Sequence, residues 1–359
     1  MTKERSLINL KEGIDYTKEP IFFGEPLNIE RYDVFRYPNI DKMTKRQLES
    51  FWRPEEVDTT KDRNDYGNLS DNEKFIFTSN LKYQILLDSV QSRGIPNLVE
   101  YMSNPESEAF SSFWAAFETL HSLSYSHIIK EVYPKSSDVF DNIMNDEQII
   151  KRTVSVTKYY DDLMNTLDDE DEEEKKTKLL LTLMSVNILE GIRFYVSFAC
   201  SWAFAENGKM EGNAKIIKFI ARDENLHLGF TQFILKQLRT NEEEGFTKIW
   251  KKNEKTLIKM FKDAAEEEMR WAEYLFKDGS MLGLNTEILT IFMKYLVNER
   301  MKVVGLEPIF EKTKNPIPWV NTWLDGNVQV APQQSQITSY NVGGVKSDLS
   351  STDFGEFEL

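Results

Sequence analysis

The feature that most constrains this chain is a repeated pattern in which a glutamate stands three residues before a histidine. The sequence contains three histidines, and two of them follow this pattern, in the pairs Glu118/His121 and Glu224/His227. Residues i and i+3 lie on one face of an α-helix, so each pair can offer a carboxylate oxygen and an imidazole nitrogen to one metal ion. The pattern therefore favours a helical fold in which two such faces meet.

Two further acids lie on apolar helical stripes. Asp88 follows Leu81 and Ile85 at helical spacing, and Glu190 shares a stripe with Phe194. A carboxylate on such a stripe is unfavourable unless it is paired or bound to a cation. Four carboxylates and two imidazoles match the ligand set of di-iron and di-manganese carboxylate bundles. Oxygen-rich ligands suit iron or manganese better than soft metals, and the choice between these two remains open.

Helical periodicity dominates the chain, which predicts an all-α bundle with this di-metal carboxylate site. Ser70 and the acids after it are typical of a helix start, and Gly94 and Pro96 mark a break. We predict one helical domain over residues 1–325, with an N-terminal arm, and a flexible tail over 326–359. Helices are predicted from about 42, from 70 to beyond 91, and over 105–133, 145–167, 174–206, 210–238, 246–277 and 286–304.

Composition excludes several classes of protein. The net charge of −15 argues against binding to nucleic acid or to an anionic membrane, since both need surface cations. Cys200 is the single cysteine, which fits a reducing cytoplasmic setting and means that a reaction needing a cysteine pair requires a second chain. The apolar stretch 179–205 contains three polar residues and is interpreted as a buried helix, and the polar N-terminus predicts no signal peptide.

Tyr125 lies one turn after His121 and two turns after Glu118, so it should face the same cavity as the metal ligands. A dry apolar pocket there would protect a tyrosyl radical from quenching. Its spacing is equally compatible with a core tyrosine whose hydroxyl is hydrogen-bonded.

Longer motifs surround these residues. They are FWRPEEVD (51–58), NLKYQ (80–84), WAAFETLHSLSYSH (114–127), EGIRFYVSFAC (190–200), MEGNAK (210–215), ARDENLH (221–227), NPIPW (315–319) and NVQVAPQ (327–333). Together they resemble the small, radical-generating subunit of class I ribonucleotide reductase over nearly the whole chain. One departure is the short acidic connection after Tyr160, which lies outside every motif.

The resemblance implies a ferritin-like fold, a homodimer and two iron ions per chain that generate a tyrosyl radical at Tyr125. It also implies a relay of the oxidising equivalent to a large subunit, which the C-terminal tail would bind through Phe354, Phe357 and Leu359. The implied metal ligands are Asp88, Glu118, His121, Glu190, Glu224 and His227. The implied relay runs through His121, Asp223, Trp52 and Tyr340.

Two other functions remain compatible with the residues alone. One is a two-electron oxidase on the same scaffold, which would need a substrate channel and no subunit-binding tail. The other is a non-catalytic bundle for iron storage or for structure only, and storage predicts many irons per chain in a cage. A metal count near two per chain and the effect of deleting 340–359 separate these alternatives.

Overall fold

The computed structural model describes residues 9–167 and 170–324, and these ranges are almost entirely helical. They contain no β-strand beyond the isolated bridges Phe22–Met102 and Met281–Leu284, which confirms the all-α prediction. Short 3₁₀ turns lie at Pro54–Glu56 and Glu242–Glu244, and one π turn lies at Leu189–Arg193. The α-helices are α1 (Pro38–Glu49), α2 (Thr60–Asn68), α3 (Asp71–Gly94), α4 (Pro96–Val99), α5 (Pro105–Val132), α6 (Ser137–Phe140), α7 (Glu147–Met164), α8 (Glu172–Ile188), α9 (Tyr195–Glu206), α10 (Glu211–Thr240), α11 (Thr247–Leu275), α12 (Thr286–Val304) and α13 (Val320–Leu324).

Helix α3 begins where the sequence predicts. The Ser70 hydroxyl accepts the Glu73 N–H at 3.3 Å, and the Glu73 carboxylate accepts the Ser70 N–H at 2.9 Å. This reciprocal cap satisfies two backbone donors that the first turn leaves without partners. The helix then runs for 24 residues and brings Asp88 into the interior of the bundle.

Helix α10 receives its N-terminal cap from another helix. The buried Asp62 of α2, a helix that the sequence patterns did not predict, accepts the backbone N–H groups of Gly212 and Asn213 at 3.1 and 2.5 Å. A Cβ at Gly212 would lie 2.7 Å from the Asp58 carbonyl oxygen, so glycine permits this close approach. Burial raises the pKa of Asp62 to about 6, although both backbone hydrogen bonds oppose the shift. A buried carboxylate therefore fixes the start of a helix that carries two predicted metal ligands.

The predicted continuous helix over 174–206 is interrupted. Helix α8 ends at Ile188, the π turn Leu189–Arg193 follows, and α9 begins at Tyr195. A π turn holds more residues than an α-helical turn and is frequent at functional sites. Here Glu190 faces the interior, while the Arg193 guanidinium donates to Glu267 of α11 at 2.7 Å. The wider turn thus carries two oppositely charged, buried side chains to different partners.

The bundle buries its most apolar segment. The stretch Glu172–Glu206 has the length and composition of a membrane span, but 94% of its apolar window is buried inside the protein. This agrees with the interpretation of 179–205 as a core helix. Helix α3 packs along α5, and α10 packs along α8 and α9. The predicted tail and Tyr340 lie outside the described ranges, so the proposed boundary near residue 325 remains a prediction.

Candidate metal centre

The structure brings all six predicted ligand side chains together in the interior. Helix α3 supplies one carboxylate, the π turn supplies another, and α5 and α10 each supply a glutamate and a histidine. Each of these side chains is at most 1% exposed. The residues are Asp88, Glu118, His121, Glu190, Glu224 and His227.

The six side chains form two overlapping groups, each compatible with one metal ion. One group contains Asp88 and His121, the other contains Glu190 and His227, and both contain Glu118 and Glu224. Within each group the ligand atoms lie within 4.8 Å of one another. Because two carboxylates belong to both groups, the arrangement fits two neighbouring ions with the shared glutamates between them.

Unsatisfied polar atoms support this interpretation. Both Asp88 carboxylate oxygens and His121 Nδ1 make no hydrogen bond to any described residue. The same is true of one oxygen from each of the three glutamates: Glu118 Oε2, Glu190 Oε2 and Glu224 Oε1. A buried polar atom without a partner is unfavourable, and so many in one place fit a site that holds cations. The donor set therefore fits a pair of divalent ions.

The pKa values of the four carboxylates also indicate a cation-binding site. Burial, reinforced by Glu118, raises the pKa of Glu224 to about 8 and raises that of Asp88 well above its usual range. Burial, reinforced by Glu224 and Glu118, likewise raises the pKa of Glu190. Burial alone would also raise the pKa of Glu118, but the electrostatic attraction of the two histidines, at 3.7 Å (His121) and 3.3 Å (His227) from its oxygens, outweighs it and lowers the pKa to about 2. Four carboxylates cannot all ionise here without compensating positive charge.

Each histidine directs Nδ1 toward the carboxylates and Nε2 toward a second partner. His227 Nδ1 lies 2.8 Å from Glu224 Oε2, and His227 Nε2 lies 3.0 Å from the Gln47 amide nitrogen. When Nδ1 binds a cation, Nε2 carries the proton and must donate it. Gln47 then accepts through its amide oxygen, which requires the side-chain amide to be rotated by 180° from the orientation in the structure. A partner of this kind fixes the ring orientation of a metal-binding histidine.

The corresponding partner of His121 is Asp223. Its Oδ2 lies 3.3 Å from His121 Nε2 and accepts the Trp52 indole N–H at 2.7 Å. Its other oxygen accepts from the Arg222 guanidinium at 3.1 Å. The Trp52 ring is buried and stacks on Phe219 with a centroid separation of 5.0 Å. Three of the four residues in the predicted relay are thus contiguous, and the fourth, Tyr340, lies outside the described residues.

Tyr125 faces the same cluster. Its side chain is fully buried, and its hydroxyl forms no hydrogen bond within the described ranges. Burial raises its pKa well above the usual range, and Asp88 is the charged neighbour that contributes most to this shift. Both the redox role and the core role predicted for Tyr125 are compatible with this position beside Asp88. A buried, neutral phenol beside a metal ligand fits a redox role.

The sequence patterns did not single out three residues that touch the ligands. Trp114 donates its indole N–H to Glu118 Oε1 at 2.7 Å and stacks on His227. Gln47 meets His227, and Gln91 donates to Glu190. Trp114 and Gln91 stand one turn from Glu118 and Asp88, so helical spacing from a predicted ligand is a signal that would have found them.

Comparison with known proteins gives consistent results. A family model described as "Ribonucleotide reductase, small chain" matches residues 31–316. The ribonucleoside-diphosphate reductase subunit beta of Haemophilus influenzae is 48% identical over 366 residues, covering 96% of this chain and 97% of that protein.

Solved structures show the same fold. The ribonucleotide reductase R2 subunit from Clostridium botulinum aligns with a TM-score of 0.81 and 28% identity, covering 89% of this chain and 98% of that one. A Streptococcus sanguinis structure named as a dimanganese(II) protein aligns with a TM-score of 0.66 and 22% identity, covering 84% and 100% of the two chains. The second likeness concerns the fold alone.

Proposed function

This chain belongs to the family of ribonucleotide reductase small chains, and we propose that its buried cluster holds two iron ions that serve to oxidise Tyr125. It is the small, beta subunit of a ribonucleoside-diphosphate reductase, an oxidoreductase. The observation that carries the proposal is the pair of overlapping ligand groups with Tyr125 beside them. Manganese remains the other candidate metal, because the donor set accepts both.

The proposed chemistry assigns a part to each residue of the cluster. Asp88 and His121 would help to hold one ion, Glu190 and His227 the other, and Glu118 and Glu224 belong to both groups and could serve either ion. When bound together with oxygen, the iron pair supplies the oxidising power. Tyr125 would give one electron and its phenolic proton to the oxidised site and become a neutral radical. The absence of water-facing surface on Tyr125 favours a long-lived radical, since reductants and solvent cannot reach the ring.

Release of the radical is proposed to follow the contacts on the other side of His121. His121, Asp223 and Trp52 form a continuous run of hydrogen-bonding distances of 3.3 and 2.7 Å. Such a run allows a proton to move between fixed donors and acceptors while an electron moves between the redox-capable groups. Tyr340 in the tail is the proposed last member within this chain.

The proposed partners follow from what this chain lacks. Its single cysteine, Cys200, is buried, so the reducing cysteine pair and the ribonucleotide site are assigned to a large subunit in the cytoplasm. The tail over 326–359 is the proposed docking segment.

A homodimer is supported by helix α5, whose outer face carries an exposed apolar stripe. Phe113 is 37% exposed and Leu123 is 60% exposed, with Ala116 between them. Leu48 and Phe51, from α1 and the turn after it, add exposed apolar surface nearby. A stripe of this kind on a long helix is typical of a protein–protein interface.

The deciding experiment is metal analysis combined with electron paramagnetic resonance after ferrous iron and oxygen are added to the purified protein. We expect close to two irons per chain and a tyrosyl signal. A count near zero, or a count of many irons per chain in cage-sized particles, would contradict the proposal.

A further inference from the structure

A second chain of buried hydrogen bonds reaches the metal centre through Glu190, and the proposed relay does not use it. The Tyr160 hydroxyl, from α7, donates to Gln91 Oε1, from α3, at 2.6 Å. The Gln91 amide nitrogen in turn donates to Glu190 Oε1 in the π turn. All three side chains are buried in the interior.

The direction of these hydrogen bonds follows from the chemistry of the three groups. When Glu190 binds a cation it is ionised and only accepts, so Gln91 must present its NH₂ group to it. The amide oxygen then points to Tyr160, whose hydroxyl must donate. Glu190 therefore selects the amide orientation, because the opposite one would place the amide oxygen against the carboxylate, and the Tyr160 hydroxyl holds the amide in place by donating to its oxygen.

The consequence for Glu190 is that its two oxygens differ. Oε1 accepts from Gln91, whereas Oε2 makes no hydrogen bond within the described part of the chain. Oε2 is therefore the oxygen that is free of protein contacts and most available to a cation. The hydrogen bond from Gln91 to Oε1 thus favours binding of an ion through Oε2. A carboxylate that lacks such a hydrogen bond can bind an ion through both oxygens.

We propose that Gln91 and Tyr160 are positioning residues, which hold Glu190 as a ligand through one oxygen at the ion that it shares with His227. The inference rests on the proposed metal-binding function and specifies how one of its ligands is oriented. Tyr160 acts only through Gln91, because its hydroxyl bonds to the amide and not to the carboxylate.

The packing around Tyr160 is consistent with this role. A Cβ at Gly94, the last residue of α3, would lie 2.5 Å from Tyr160 Cζ. The aromatic ring therefore lies directly on the helix backbone, one turn beyond Gln91. Glycine at this position provides the space in which the hydroxyl reaches the amide.

The test is a titration of the metal-free, full-length protein with Mn²⁺ in competition with a chelator. It compares wild type, Gln91→Met, Tyr160→Phe and the double variant. Methionine keeps the length of the side chain but removes the donor. Tyr133→Phe is the matched control, because Tyr133 is also buried and hydrogen-bonded, at 2.6 Å to Thr78, and contacts none of the six ligands in the structure.

We expect wild type and Tyr133→Phe to bind two ions per chain with the same affinities. Gln91→Met should weaken one of the two ions by roughly 10-fold or more, the effect typical of losing a group that orients a ligand. Tyr160→Phe should weaken the same ion by a smaller factor. The double variant should match Gln91→Met alone, because Tyr160 has no effect once Gln91 is absent.

The outcomes separate this inference from the proposed function. Failure of wild type to bind two ions would overturn the metal site itself. Two ions in wild type, with unchanged affinities in Gln91→Met, would overturn the positioning role alone. Additive effects in the double variant would show that Tyr160 acts independently of Gln91 and would also overturn it. If Tyr160→Phe fails to fold by circular dichroism, Gln91→Met alone decides.

Discussion

Trp52 and His121 meet the same oxygen atom of Asp223. The Trp52 indole N–H donates to Oδ2 at 2.7 Å, and His121 Nε2 lies 3.3 Å from that oxygen. Since the remaining oxygen is engaged by Arg222, the carboxylate has little freedom to turn. A carboxylate held in this way can couple the proposed metal-binding imidazole to the buried Trp52 indole only while both hydrogen bonds persist.

Asp223→Asn should therefore interrupt the proposed relay without emptying the metal site. An amide has one acceptor oxygen where the carboxylate has two, and it carries no charge. If that oxygen faces Trp52 and His121, the NH₂ group lies against Arg222, and in the opposite orientation both Trp52 and His121 lose their acceptor. We expect about 10- to 100-fold lower reductase activity with the large subunit, with the Tyr125 signal retained. Trp52→Phe should lower the activity in the same way. Trp271→Phe is the control and should keep the activity, because it removes another buried indole, one that donates to Asn80 at 3.2 Å. Full activity in Asp223→Asn would exclude the relay.

Tyr125→Phe should abolish the radical and leave the fold and the metal unchanged. The hydroxyl has no hydrogen-bond partner among the described residues, so its removal should change the free energy of unfolding by no more than about 1 kcal/mol. Electron paramagnetic resonance after iron and oxygen addition gives the readout, with Tyr133→Phe as the control that keeps the signal. A tyrosyl signal of wild-type intensity in Tyr125→Phe would refute the assignment.

Leu123→Glu should dissociate the proposed homodimer. A charge in the middle of the exposed stripe on α5 would have to be buried against the partner protomer, which is strongly unfavourable. Leu282→Glu is the matched control, because Leu282 is 76% exposed in the connection between α11 and α12. Sedimentation velocity should show monomers for the first variant and dimers for the second, and a dimeric Leu123→Glu would place the interface elsewhere.

Deletion of 340–359 should separate radical formation from turnover. The shortened protein is expected to bind metal and form the Tyr125 radical but to have no activity with the large subunit, because both the docking tip and Tyr340 are removed. A peptide of the deleted sequence should inhibit the full-length complex. Undiminished activity of the shortened protein would favour the oxidase alternative or another docking surface.

Glu268→Gln should change how stability depends on pH. Burial, opposed by Arg152 and Arg193, raises the pKa of Glu268 from 4.5 to about 7. The folded state therefore holds this proton more tightly than the unfolded state, so the contribution of Glu268 to stability declines as pH rises from about 4.5 to about 7 and is constant above.

Glutamine stays neutral and still accepts the Tyr83 hydroxyl, which donates to Glu268 at 2.6 Å. The free energy of unfolding of Glu268→Gln, minus that of wild type, should thus increase between pH 5 and pH 8, by on the order of 3 kcal/mol. Urea denaturation at several pH values measures the difference. Parallel pH profiles for the two proteins would contradict the prediction.

The ligand set was within reach of the sequence because helical spacing is a local property. Glu118 and His121 share one turn, and Asp88 is a charge on an apolar stripe, so short windows expose both. The π turn was not predictable in this way, since no local pattern marks it, and Arg193 within it bonds to Glu267 of α11, 74 residues away. Nor does any pattern show that Gln47 meets His227, because they are 180 residues apart and meet only through helix packing.

The two sides of helix α5 carry residues with different proposed roles. Its inner side carries Glu118, His121 and Tyr125, and its outer side carries the apolar stripe around Leu123. Since an α-helix with its side chains is only about 10 Å across, the proposed oxidation site and the proposed subunit contact are separated by the thickness of one helix. Two protomers joined along α5 would therefore have their candidate metal centres on opposite sides of a layer only two helices thick.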